Sequence, residues 1–308
     1  MTSRPKNNNS SGIIFDASVV CNEIADFLRS MVHNLNRDGA VVSVSGGLDS
    51  AVAATLTVYS LGAEKVHLLN MPEKDSNPIH QRHAKQLAEH LNVQLTVKSI
   101  TSILKATGTY KLLPLRFVPT RGLRERAIGY GRSKKLSKDE EDILVNRLRP
   151  KANSWVAKGN AYAISKHRVR MVVLYQFAEV RNLMVVGAAN RTEWLTGTFS
   201  KWGVDHCADV MPLIHVYRSN LEELAEYLQV PEFIRNKPAD PDIIPSFNNK
   251  EELLGGFTTV DKILHGIEKK LDKDELCRLY DKTLVKRLLI LQELSKHMRK
   301  SPYHLSTS

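Results

Sequence analysis

Cysteine is scarce in this chain of 308 residues, and its three copies, Cys21, Cys207 and Cys277, stand far apart without a Cys-x-x-Cys pair. Such spacing excludes a structural zinc site and a disulfide framework as organising devices. Single thiols suit a reducing compartment, so a cytoplasmic location is expected. No apolar run approaches the roughly 18 residues that mark a membrane helix, and no membrane span is expected. The start of the chain, Met1 to Ser11, is polar and Asn/Ser-rich and lacks the apolar core of a secretory signal; it reads as a tail. Internal repeats are absent, and so is the Gly-x-x-x-x-Gly-Lys-Ser/Thr string of a Walker A loop. With no clear boundary in composition, a single domain over 1–308 is expected, interrupted by a basic insertion or lid at about 105–158.

What is present is ordinary for a globular protein: 42% hydrophobic and 25% charged residues. The net charge of +11 suits anionic ligands such as nucleotides. Apolar spacing predicts a helix over Phe15–Leu35, strands at 40–44, 65–72, 93–100 and 183–190, and helices over Asn77–Leu91, Arg168–Glu179 and Leu221–Leu228. A C-terminal helical region spans Leu276–Met298, and Lys138–Leu148 reads as a further helix. Strands alternating with helices argue for an α/β fold, a parallel sheet with helices on both faces. Ligands in such sheets sit beyond the carboxyl ends of the strands.

One string carries the chemistry. Ser45-Gly46-Gly47-Leu48-Asp49-Ser50 follows the apolar run Ala40–Val44 and precedes a helical pattern. Strand, Ser/Gly-rich turn and helix together direct backbone N–H groups and a helix N-terminus at an anion. Ser45 and Ser50 add hydroxyls, and Asp49 adds a carboxylate able to hold a divalent cation on a phosphate. The plainer reading is a strand-to-helix turn in which Asp49 caps the helix.

Ser-Gly-Gly-x-Asp-Ser after a first strand resembles the pyrophosphate loop of the N-type ATP pyrophosphatases, which split ATP into AMP and pyrophosphate. Further strings, in the same order, are similar to ammonia-dependent NAD synthetases: Met71-Pro72, Arg168-Val169-Arg170-Met171, Gly187 to Glu193, Ser200-Lys201-Trp202-Gly203 with Asp209, Lys237-Pro238-Ala239-Asp240, and His297 to Pro302. The departures are a changed 203–209 loop, Ala188 in place of a threonine, and a longer stretch between Ile100 and Arg168.

The resemblance implies an adenine nucleotide alpha-hydrolase-like, Rossmann-like fold. It also implies a ligase that adenylates the nicotinate carboxylate of deamido-NAD with ATP and then transfers ammonia to it. Implied for ATP are Ser45, Gly46, Gly47, Asp49, Ser50, Met71, Arg168 near the adenine, and Arg218. Asp49 and Glu193 would hold Mg2+. Asp49, Lys201 and Asp209 would be catalytic, Lys201 on the phosphates and Asp209 toward the nicotinate or the incoming ammonium. Relatives that use glutamine carry an amidase for which this chain has no room, so free ammonia or a separate glutaminase is expected, and a homodimer is typical. A catalytic role for Cys207 is not expected, because its neighbours His206 and Asp205 are contiguous with it rather than brought from across a fold. The competing expectation is a diverged pyrophosphatase that adenylates another acid or an RNA for amide or sulfur transfer, suggested by the basic residues of 116–158. Against nucleic acid stands the lack of cysteine pairs or an appended RNA-binding domain. A regulator without catalysis is disfavoured by the presence of both Asp49 and Glu193.

Overall fold

The computed structural model describes residues 13–113, 142–204, 206–237 and 254–303. The expected tail at Met1–Ser11, the basic residues from Arg116 to Arg132 with Arg121 and Arg124 among them, Asp205, and the segment Pro238–Pro245 lie outside the described residues.

Among the described residues, four short β-rich runs form one parallel sheet: β1 (Gly39–Ser43), β2 (Val66–Asn70), β3 (Gln94–Val97) and β4 (Leu183–Val186), in the order β3-β2-β1-β4. Alternation along β1 shows why both faces need cover. Ala40 and Val42 join Leu68, Met184 and Val186 in a cluster covered by the helices α1 (Ala17–Asn34), α2 (Leu48–Leu61) and α3 (Pro78–His90). Val41 faces the other way with Leu69 and Val185, and is covered by α4 (Thr101–Ala106) and the long α6 (Trp155–Val180). The parallel sheet with helices on both faces is therefore as expected.

A third apolar cluster gathers the C-terminal helices α10 (Phe257–Glu268), α11 (Lys273–Leu279) and α12 (Lys282–Ser295) around Val260, Leu264 and Leu288, and it includes Leu195 of α7 (Arg191–Thr196). Buried Asp261 fixes this cluster to the sheet side. It accepts from Thr192 Oγ1 at 2.6 Å and from the Ser219 N–H, at the start of α8 (Arg218–Tyr227), at 2.8 Å. Among the described residues, no helix is long and apolar enough to cross a membrane.

The structure departs from expectation at three element boundaries. Helix α6 begins at Trp155 rather than near Arg168, because Ser154 caps it by accepting from the Ala157 N–H at 3.1 Å; Gly159 and Asn160, poor helix formers, conceal this first half in the sequence. The helix expected over Lys138–Leu148 is described as α5 (Ile143–Leu148), capped by Asp142. The C-terminal region breaks at Tyr280, where Asp281 opens α12 by accepting from the Leu284 N–H. Helix α10 is an addition that the sequence reading omits.

Candidate active site

In the sheet, β2 lies on one side of β1 and β4 on the other, so the order in which parallel strands are added reverses between β1 and β4. A cavity of about 410 Å³ opens there, beyond the carboxyl ends of these strands, where doubly wound sheets place their ligands. Its floor is the 45–50 loop. Gly46 takes φ +76°, and a Cβ there would lie 2.3 Å from the His80 carbonyl oxygen. Gly46→Ala is therefore expected to displace the loop and weaken ATP binding, which nucleotide titration alongside a melting curve would detect; unchanged affinity would contradict the geometry.

The loop is latched by its serines. Ser50 Oγ donates to the Gly47 carbonyl at 3.0 Å and accepts from the Ser45 N–H at 3.2 Å, while the two hydroxyls lie 3.2 Å apart. Gly47 is the N-cap of α2, and among the described residues no side chain caps that helix. The N–H groups of the first turn are thus left for an anion. Asp49 is not the cap. Its Oδ1 accepts instead from Asn190 Nδ2 at 2.6 Å. Asn190 Oδ1 in turn caps α7, accepting from the Glu193 N–H at 3.0 Å. One buried amide thus couples the loop after β1 to the turn after β4, and both Asp49 and Glu193 line the cavity.

A second wall is the segment after β2. Met71 is buried, and its carbonyl accepts from Arg170 Nε at 3.1 Å. Next comes Glu73, whose carboxylate is fully buried against Lys166 Nζ of α6 at 2.6 Å. Tyr110 donates its hydroxyl to Glu73 Oε2 at 2.7 Å, and the Asp75 N–H donates to the same oxygen at 3.0 Å. Burial alone pushes the Glu73 carboxyl up, but Lys166 and these donors together hold it below the usual carboxylate range. Tyr162 of α6 closes the network on Asp75 Oδ2 at 2.9 Å.

A third wall comes from α5 and the first half of α6. Here Arg147 donates to the Gly197 and Phe199 carbonyls at 2.8 and 2.6 Å and fixes the turn after α7. Arg218 completes the enclosure, its guanidinium 5.0 Å from the Phe257 ring and 3.1 Å from Glu222.

Of the residues expected from sequence, Ser45, Gly47, Asp49, Ser50, Met71, Glu193 and Arg218 line this cavity, and Gly46 lies directly behind them. Three others stand elsewhere. Arg168 is exposed and donates to the Lys201 carbonyl at 3.4 Å; Arg170, two positions on, lines the cavity instead. Lys201 Nζ donates to the His297 carbonyl at 2.6 Å, and Ser200 takes its place in the lining. Asp209 has both oxygens engaged, by the Tyr175 hydroxyl at 3.0 Å and the Val185 N–H at 2.7 Å, and is absent from the lining. It clamps the end of β4 to α6. Residues that sequence reasoning gave no role are Asn190, Glu73, Lys166, Arg147, His80 and Lys237.

Cys207 is half-buried. Burial, and then the charge of Asp209, raise its thiol pKa, which disfavours the reactive thiolate. Cys207→Ala is expected to leave turnover unchanged, and a steady-state rate measurement checks this.

Comparison with known proteins agrees with the geometry. The NAD synthase family model matches residues 20–115 and 137–302. The chain is 39% identical over 278 residues to the NH3-dependent NAD+ synthetase of Thermotoga neapolitana, covering 90% of this chain and 92% of that protein. It is 34% identical over 257 residues to that of Methanocaldococcus jannaschii, covering 83% and 84%. Among solved structures, an NMN synthetase from Francisella tularensis superposes with a TM-score of 0.69 at 25% identity, over 96% of this chain and all of that one. An NH3-dependent NAD synthetase from Campylobacter jejuni gives 0.67 at 25% identity, over 95% and 100%.

Proposed function

This chain belongs to the NAD synthase family, and on that premise we propose how its cavity carries out ammonia-dependent NAD synthesis. The nicotinate carboxylate of deamido-NAD attacks the α-phosphorus of ATP and pyrophosphate departs. Ammonia then attacks the acyl adenylate, releasing AMP and leaving the amide of NAD. Carboxylates resist direct amidation at neutral pH, and adenylation supplies the leaving group. Catalysis of this kind rests on positioning and charge stabilisation more than on covalent work by side chains.

The observation that supports the assignment is that Asn190 joins the Asp49 carboxylate to the Glu193 backbone N–H beside a helix N-terminus with no side-chain cap among the described residues. The loop N–H groups and the serine hydroxyls receive the phosphates. Met71, with its carbonyl fixed by Arg170, borders the region where the purine would lie. Two carboxylates without a third protein ligand suit Mg2+, which is commonly held by one or two carboxylates plus substrate phosphates and water. Among the described residues, no group of three or more His, Cys, Asp or Glu is placed to bind a metal. Asp49 and Glu193 would hold the ion, and when bound it would offset charge on the departing pyrophosphate. Arg168 and Lys201 act in this reading by supporting the site rather than by touching ATP, and Asp209, expected on the nicotinate side, by holding the end of β4 to α6. The family resemblance extends the proposal to a homodimer in the cytoplasm, fed by free ammonia or by a separate glutaminase.

The test is product chromatography with ATP, ammonium, Mg2+ and deamido-NAD, with nicotinate mononucleotide and other acids in parallel. AMP, pyrophosphate and NAD are expected in equal amounts. ADP as the main nucleotide product, or turnover only with an unrelated acid or an RNA, would overturn the proposal.

A further inference from the structure

The 45–50 loop contains no cation of its own, and Lys201 donates to the His297 carbonyl. Among the described residues three arginines line the cavity: Arg147 is tied to the 197–199 turn and Arg170 to Met71, while Arg218 pairs with Glu222 of its own helix beside Phe257. Lys237, just past the short helix Glu232–Arg235, is different. Its ammonium lies 3.4 Å from the Gly46 carbonyl oxygen, brought there across 191 positions of sequence. It also lies 2.9 Å from His80 Nδ1, and because an ammonium only donates, that nitrogen accepts. His80 is buried, and both residues line the cavity on the flank of the loop. The neighbouring His83 is disfavoured as a second cation. Burial, and then the Lys237 ammonium, hold its pKa below the usual histidine range.

We propose that Lys237 is a ligand for the pyrophosphate end of ATP, held beside the loop by His80 and exchanging the Gly46 carbonyl for a phosphate oxygen when nucleotide binds. A carbonyl oxygen is a weaker partner for an ammonium than a phosphate oxygen, so the exchange favours the loaded site. Lysine suits the task because its charge is compact and its stem flexible. His80 acts through Lys237 and is a positioning residue. The inference rests on the reading of the 45–50 loop as the ATP phosphate site.

Calorimetric titration of the full chain in Mg2+ buffer separates the possibilities, with ATP, inorganic pyrophosphate and deamido-NAD as probes. Lys237→Met is expected to weaken ATP and pyrophosphate about 10- to 100-fold, the range of one charge-assisted hydrogen bond. Affinity for deamido-NAD and the melting temperature should stay unchanged. Lys237→Arg should restore most of the loss. His80→Ala should cost less, and the double variant no more than Lys237→Met alone, as for two residues acting through one contact. The inference is overturned if Lys237→Met binds pyrophosphate like wild type, if the loss falls on deamido-NAD instead, or if Lys201→Ala rather than Lys237→Met abolishes pyrophosphate binding. Failure of the wild-type chain to bind ATP would instead remove the phosphate-site reading itself, and this inference with it.

Discussion

Replacing Lys166 with alanine is expected to lower the unfolding free energy by about 3–5 kcal/mol, the cost of leaving one partner of a buried ion pair uncompensated. The pair qualifies because both side chains are essentially inaccessible and only 2.6 Å apart. Glu73 would lose its ammonium partner while still enclosed by Tyr110, Tyr162 and the 71–78 segment. Urea denaturation of the two proteins measures the difference, and a loss below about 1 kcal/mol, the scale of an exposed pair, would contradict it. Replacing both residues together, with Glu73→Gln and Lys166→Met, should recover part of the loss, since no isolated charge is then buried. The pH dependence follows from the direction of the Glu73 shift. A carboxylate held low contributes stability that is complete above the unfolded glutamate pKa of about 4.3. That contribution is lost as the pH falls below this value and through the lowered folded one. The acid limb of the wild-type stability curve should therefore be steeper than that of the doubly substituted protein.

Asp49→Asn is expected to reduce kcat/KM for ATP by about a thousandfold, on the scale of several kcal/mol of charge stabilisation at a phosphoryl site. The change is nearly isosteric. Asn190 Nδ2 can still donate to the remaining side-chain oxygen at position 49, so the link between β1 and β4 survives. The variant should accordingly melt like wild type while forming almost no AMP. Wild-type-like turnover would remove Asp49 from the site, and a collapsed melting temperature would reassign it to structure.

The floor of this site is legible in the sequence because its signal is local. Gly46, Gly47, Asp49 and Ser50 sit in one string between a strand pattern and a helix pattern, and backbone geometry alone gives the string its meaning. The walls are not legible in the same way. Asn190 serves Asp49 from 141 positions away, and Lys166 meets Glu73 across 93. Such partners emerge only when the sheet order brings the segments together. Arg168 and Arg170 illustrate a subtler limit. Both stand in one recognisable string, but two positions along a helix turn a side chain through about 200°, and the string alone does not say which one faces the cavity. Lys201 and Asp209 likewise fall in a recognisable string, and their hydrogen bonds, to a C-terminal carbonyl and to the end of β4, come from tertiary contacts that leave no mark on local sequence. Helix α10 is obscured for a different reason. Its apolar positions, Val260, Ile263, Leu264 and Ile267, have helical spacing, but they follow the proline-rich stretch from Pro238, which masks the start of an element.

The order of strands has a consequence for the time at which activity is gained. β1 and β2 pair across a short connection, Val42 with Leu68, whereas β1 and β4 pair across most of the domain, Gly39 with Leu183. Closing the longer loop costs more chain entropy and comes later in folding. Because Asp49 and Asn190 stand at the ends of those two distant strands, the phosphate floor can be in place well before the carboxylates are aligned over it. During refolding from denaturant, secondary structure should return first and AMP formation should track the slowest phase, so that turnover reports on completion of the β1–β4 seam.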